Sequence, residues 1–261
     1  MTKRCLTDIR NPARWTKADR GRCKPGDMAI VSNVWDRPPF GIRDVLTLPH
    51  IQPGVFRVDG KPAGIPGAFN YEWGQVVDDN PEWSLLTGLP VTLWSSGNQS
   101  LTAFDLSRLD VIEAWTDFLL AHFAWAGGIH HDYLTGYGWL EPDIPLAFWK
   151  QHDAGYACAI QRIRLRRPSW VFIGQQFHLT PLTPYVDGLY LEESPGHFGL
   201  SFEQIAANMD RHGHPEHWVI ELRHPERFPI TYQQQVARFA ADHGSWLSWG
   251  MNEMALVGCP E

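Results

Sequence analysis

Short apolar runs alternate along this chain with longer segments whose apolar residues recur every three or four positions. The runs MAIVSN (28–33), GVFRVDG (54–60), LPVTLWSS (89–96), GGIHHDYL (127–134), SWVFIGQQF (169–177), VDGLYLEES (186–194), HWVIELR (217–223) and SWLSWGMN (245–252) have the length and composition of strands. The segments 109–125, 145–167, 201–213 and 231–244 carry helical spacing. Asp105 or Ser107 is placed to cap the first of these, and Ser201 opens the third, with Glu203 in its first turn. Thr231 starts the fourth and Gly244 follows its end.

Strand–helix alternation predicts a parallel sheet, because parallel neighbours need crossover connections. Eight strands in 261 residues fit an α/β protein of the (β/α)8 TIM-barrel class. Residues 34–88 are rich in Pro, Gly and Trp and read as long loops over one mouth of the barrel. An open doubly wound sheet is the competing architecture, but neither G-x-G-x-x-G nor G-x-x-x-x-G-K-[ST] occurs.

Charge divides the chain. Residues 1–24 hold eight Lys/Arg and two Asp/Glu, whereas the whole chain has a net charge of −7. The expected organisation is therefore a basic N-terminal arm (1–26) and one barrel domain (27–261). An acidic body argues against nucleic acid as a partner. No run is long and apolar enough for a membrane span, and no signal-like h-region opens the chain, so a cytoplasmic or phage-associated location is expected. Cys5, Cys23, Cys158 and Cys259 form no C-x-x-C pair, so no zinc site and no cofactor is expected.

In such barrels the chemistry sits at the C-terminal strand ends. Taken strand by strand, these ends offer Asp36, Asp59, Trp94, then His130, Asp132 and Tyr133, then Gln175, then Glu192 and Glu193, then Glu221, then Trp249. Alternation puts Asp132 on one face with His130 and Gly128, and Glu192 with Tyr190 and Gly188. His131 is thereby sent behind the wall. Two carboxylates across a barrel mouth are the minimal equipment of a glycoside hydrolase, one protonated and one ionised. Asp132 and Glu192 are the expected catalytic pair. Asp36, Asp59, Trp73, Trp94, His130, Tyr133, Gln175, Glu193, Glu221 and Trp249 are the expected substrate-binding residues, the aromatics as platforms for sugar rings. No Gly-x-Ser-x-Gly elbow, activated cysteine or H-E-x-x-H motif supports another hydrolase chemistry.

The stretches NYEWGQVVDDNPEWSLLTG (70–88), GIHHDYL (128–134) and VDGLYLEES (186–194) resemble markers of glycoside hydrolase (β/α)8 barrels of phage and bacterial type, in the style of the endo-α-1,4-polygalactosaminidase family. That pattern reads D-G-hydrophobic-x-hydrophobic-D at strand four and D-G-x-x-x-E at strand six. Here strand six matches in full and ends in Glu192. At strand four Gly127 replaces the first Asp and His131 the second hydrophobic residue. The resemblance implies a barrel, an Asp/Glu pair and a carbohydrate partner, without naming the glycan. Two other functions stay open: a non-catalytic carbohydrate-binding or phage structural barrel, and a metal-dependent sugar isomerase or epimerase using His130, Asp132 and Glu192 with another His.

Overall fold

The computed structural model describes residues 3–8, 25–33, 45–86, 89–132, 146–175, 180–191, 200–222 and 225–249. Eight parallel strands close a barrel: β1 Lys3–Asp8, β2 Met28–Val31, β3 Leu46–Ile51, β4 Gly128–His131, β5 Val171–Gln175, β6 Gly188–Leu191, β7 Val219–Glu221 and β8 Trp246–Ser248. They neighbour one another in chain order, and β8 closes onto β1 through Lys3↔Trp246 and Arg4↔Leu247. Strands buried on both faces need apolar side chains at nearly every position, which is why most of them read as continuous apolar runs.

Alternate residues fill the lumen. Cys5, Met28, Ile30, Leu48, Ile173, Tyr190, Val219 and Trp246 form one buried cluster inside the barrel. Their strand neighbours Ile51, Ile129, Phe172, Leu189, Leu191, Ile220 and Leu247 belong to a larger cluster between the wall and the helices. Gly128 and Gly188 make room at the wall. A Cβ on Gly128 would lie 2.0 Å from the Val171 carbonyl oxygen, and one on Gly188 would lie 2.2 Å from that of His217.

Among the described residues, five α-helices accompany the strands: α1 Phe69–Asp79, α2 Leu109–His122, α3 Leu146–Arg166, α4 Phe202–His212 and α5 Ile230–Asp242. The Ser201 cap expected from sequence is a full capping box with Gln204. At α2 the expectation is corrected. Arg108 holds the N-cap position, and Asp105 instead accepts hydrogen bonds from the backbone N–H and hydroxyl of Ser107 (2.9 and 2.6 Å), closing a turn ahead of the helix. At α5 the helix begins at Ile230 after Pro229, and Gly244 beyond its end takes a left-handed conformation (φ 66°).

The first half departs from the expected strand list. Gly54–Val58 and Thr92–Ser96 are not barrel strands. They belong to a four-stranded antiparallel sheet, in the order 61–62, 54–58, 99–103, 92–96, inserted between β3 and β4. Helix α1 also lies in the segment expected to be loop. It is bolted to the insert by buried Asn70, whose side chain accepts from Phe56 N–H (2.9 Å) and donates to the carbonyls of Phe56 (2.8 Å) and Ala63 (2.7 Å).

The two barrel strands missing from the sequence reading are β1 and β3. Residues 3–8 therefore belong to the barrel, and the expected division into an arm (1–26) and a barrel (27–261) is corrected. The basic residues of β1 have local partners: Arg4 Nη2 lies 2.5 Å from Asp27 Oδ2, and Lys3 Nζ lies 5.4 Å from the centre of the Trp246 ring. No helix among the described residues is long and apolar enough to cross a membrane. Cys5 is buried, and Cys158 is an exposed free thiol.

Candidate active site

The C-terminal strand ends carry a polar layer on top of the apolar lumen. His50, His130, Gln175, Glu221 and Ser248 all share strand parity with lumen-facing residues, and each is less than 9% exposed. Tyr190 lies just beneath, its hydroxyl donating to Ser248 Oγ at 3.3 Å. Strand register sets these groups side by side, with His130 opposite His50, Gln175 opposite Tyr190, and Glu221 opposite Ser248.

Asp132 follows β4 by one residue. Its backbone N–H still donates to Ile51 O at 2.8 Å, so the ladder continues without a bulge and alternation carries its side chain to the lumen with His130. Two donors converge on one carboxylate oxygen: Gln52 Nε2 lies 3.1 Å and His50 Nε2 3.3 Å from Asp132 Oδ2. Burial pushes this carboxyl up, but the hydrogen bond of His50, the charge that ring carries when protonated, the hydrogen bond of Gln52 and, last, the charge of a protonated His130 outweigh it and hold the group below the ordinary carboxylate range. Asp132 is thus an ionised acceptor at neutral pH.

The histidine chain extends inward. His50 Nδ1 lies 2.8 Å from His130 Nδ1, with the rings stacked at 5.0 Å. His130 meets the edge or face of Tyr190 at 5.1 Å. Burial, then the charge of His50, pushes the His130 imidazole well below its ordinary range, against a smaller pull upward from Asp132. His131 points the other way, as alternation requires. It stacks on Phe172 and lies 2.9 Å from the Tyr156 hydroxyl on α3, and burial lowers it to about 3.

Among the expected site residues, the structure brings Asp132, His130, Gln175 and Glu221 into the lumen-facing polar layer. Others do not reach it. Trp73 is 2% exposed and packs against Phe104, Phe118 and Trp83 as core of the insert. Asp59 sits in an exposed turn with φ 51°, accepting from Asn98 Nδ2 at 3.1 Å. Trp94 is 40% exposed on the insert sheet, next to Phe56. Trp249 shares parity with Leu247 and packs on the outer cluster. Asp36, Tyr133, Glu192 and Glu193 lie outside the described residues. His50 and Gln52 were missed because LTLPHIQ contains Pro49 and did not read as a strand. Its signal was the alternation of Leu46, Leu48 and His50 on one face.

The acid of the strand-six motif that is described, Asp187, has a structural task at the opposite end of β6. It accepts from Phe172 N–H (2.8 Å) and from Arg164 (3.0 Å). Arg164 is therefore engaged by Asp187, while Asp132 is held by His50 and Gln52. Among the described residues, the cluster of three potential metal ligands is His214, Glu216 and His217, in the turn before β7 and away from the strand ends.

No family model matches this chain, and no curated protein matches it. Solved structures do. The glycoside hydrolase domain of PelA from Pseudomonas aeruginosa aligns over 97% of this chain and 96% of its own, at TM-score 0.56 and 11% identity. The α-galactosidase TtGalA from Thermus thermophilus, solved with stachyose, aligns over 95% of this chain and 61% of its own (TM-score 0.56, 13% identity). An α-amylase from Lactobacillus plantarum aligns over 100% of this chain and 73% of its own (TM-score 0.59, 13% identity). At such identities the likeness is one of fold: this chain has the (β/α)8 architecture on which these glycoside hydrolases are built.

Proposed function

We propose that this protein is a glycoside hydrolase that cleaves an oligo- or polysaccharide at the C-terminal mouth of the barrel, with Asp132 and Glu192 as its carboxylate pair. The observation that carries the reading is Asp132 itself: lumen-facing, at the end of β4, and kept ionised by two converging donors. A glycosidase needs one carboxylate in that state, as nucleophile or as the base that activates water. The second must be protonated to donate to the leaving oxygen. Period-two alternation gives position 192 the parity of Tyr190, which faces the lumen. Glu193 and Glu221 are the reserve acids, and Glu221 is buried on the lumen face of β7. The fold neighbours are hydrolases of carbohydrate, which supports the class of substrate and leaves the glycan to experiment.

The test is a hydrolysis screen with stachyose, p-nitrophenyl α-D-galactopyranoside, starch and de-acetylated amino-sugar polymers. Asp132→Asn and Glu192→Gln are each expected to lower kcat by about 10²–10⁴-fold, the range of a lost acid–base partner. Anomeric NMR of the product reports retention or inversion, and with it the spacing class of the pair. Wild-type turnover that survives Asp132→Asn would remove Asp132 from the chemistry. A chain that binds these glycans but hydrolyses none would be a binding barrel.

A further inference from the structure

We propose that His50 and His130 form a two-imidazole relay that fixes Asp132 as an acceptor and links it, proton by proton, to the centre of the barrel. Counting protons along the contacts gives the arrangement. The 2.8 Å separation of the two Nδ1 atoms admits one proton between them, so one ring donates and the other accepts. At the outer end, Asp132 is ionised and only accepts, so His50 carries a proton on Nε2. Gln52 Nε2 also lies within hydrogen-bond distance of His50 Nε2 (3.3 Å), a contact in which His50 Nε2 would accept; the negative charge of Asp132, which takes a hydrogen bond from each side chain, favours donation by His50 Nε2 instead.

A neutral His50 protonated on Nε2 has a lone pair on Nδ1. His130 must then carry its proton on Nδ1 and leave a lone pair on Nε2. That last atom is buried and has no hydrogen-bond partner among the described residues. The chain therefore runs from the carboxylate through two N–H bonds, all in one direction, to an open acceptor in the lumen. A proton arriving at His130 Nε2 forms an N–H bond there, the His130 Nδ1–H bond breaks, and His50 Nδ1 takes the released proton. The charge comes to rest on His50, beside Asp132. No other reactant is consumed. Desolvation keeps the charge off His130, the more deeply placed ring. The groups facing this pair are Asp132, Gln52 and Tyr190, and His131 acts on it only through its charge from behind the wall. His50 and His130 are positioning residues, and their value to catalysis rests on Asp132 being the reacting carboxylate of the proposed hydrolase.

The relay is tested without substrate. Two-bond ¹H–¹⁵N spectra of the full-length ¹⁵N-labelled protein at pH 7, assigned with His50→Asn and His130→Asn, are expected to show His50 as the Nε2–H tautomer and His130 as the Nδ1–H tautomer. The second is the less common form of free imidazole, so it marks a specific hydrogen bond. In His130→Phe the His50 Nδ1 signal is expected to move to that of an unbonded lone pair. His130→Asn, whose amide can donate, should restore it. On a turned-over glycoside, His130→Phe should lower kcat about tenfold with KM within about twofold, as for a weakened hydrogen bond to a charged group. His130 in the Nε2–H form, or a His50 signal indifferent to His130→Phe, overturns the relay whatever the activity. Correct tautomers without any hydrolysis would leave the relay standing and overturn the hydrolase reading instead.

Discussion

His131 offers a quantitative check on the two-faced reading of β4. Its ring is fully buried behind the wall, stacked on Phe172 and bonded to the Tyr156 hydroxyl. Burial first, then the positive charges of Arg164 and His50, lowers it to about 3. In the unfolded chain it titrates near its ordinary value, 6.5. Below that value the unfolded state binds a proton that the folded state refuses. Unfolding is then favoured as pH falls, and the stability contributed by a neutral His131 is lost progressively between about 6.5 and about 3. The loss approaches about 1.4 kcal/mol per pH unit, or about 2 kcal/mol at pH 5.

The clean perturbation is the double variant His131→Phe/Tyr156→Phe. Replacing His131 alone would strand the buried Tyr156 hydroxyl at a cost of about 1–3 kcal/mol, whereas removing both polar partners leaves nothing unpaired and keeps the ring stack. Urea unfolding followed from pH 8 to pH 5 should give the double variant nearly wild-type stability at pH 8. It should be more stable than wild type by about 2 kcal/mol at pH 5, roughly 4–8 °C in Tm. His130 and His152, also lowered by burial, remain in both proteins, so the difference between the curves isolates His131. Parallel curves would refute the buried, neutral His131 and with it the assignment of the outward face.

Asn70→Ala should destabilise the protein by about 2–4 kcal/mol, because it strands Phe56 N–H and two carbonyls between α1 and the insert; calorimetry reads it as a lower Tm. Gly155→Ala should cost about 1–3 kcal/mol or more, since its Cβ would lie 1.6 Å from the Leu106 carbonyl oxygen and α3 would have to shift; urea unfolding with retained m-value checks it. Ser201→Ala should cost about 1 kcal/mol through the lost capping box, with faster amide exchange confined to the first turn of α4.

The second half of the fold was legible because each strand there is an apolar run buried on both faces and, β5 to β6 excepted, an α-helix separates each from the next. The first half obeyed other rules. KRCLTD contributes a barrel strand whose charges are answered at the strand base, by Asp27 and the Trp246 ring, so its polarity concealed it. LTLPHI contributes another despite Pro49, a residue that argues against a central strand when read alone. The apolar runs at 54–58 and 92–96 are genuine strands, but antiparallel ones serving a different sheet. Local pattern specifies that a segment is extended; it does not specify which sheet it joins.

The same distinction governs the site. Parity along single strands placed Asp132 and His130 inward and His131 outward, because alternation is a property of one strand. What Asp132 does chemically is decided by His50 and Gln52, 82 and 80 positions earlier in the chain. They reach it because β3 pairs with β4 across the whole inserted sheet and two helices. A carboxylate at a strand end is only a candidate until its donors are known. Without them burial would push Asp132 up, toward the protonated form an acid requires. With them the balance reverses and the group is held as an anion. The acid or base character of this position is therefore written in β3, the strand whose proline hid it.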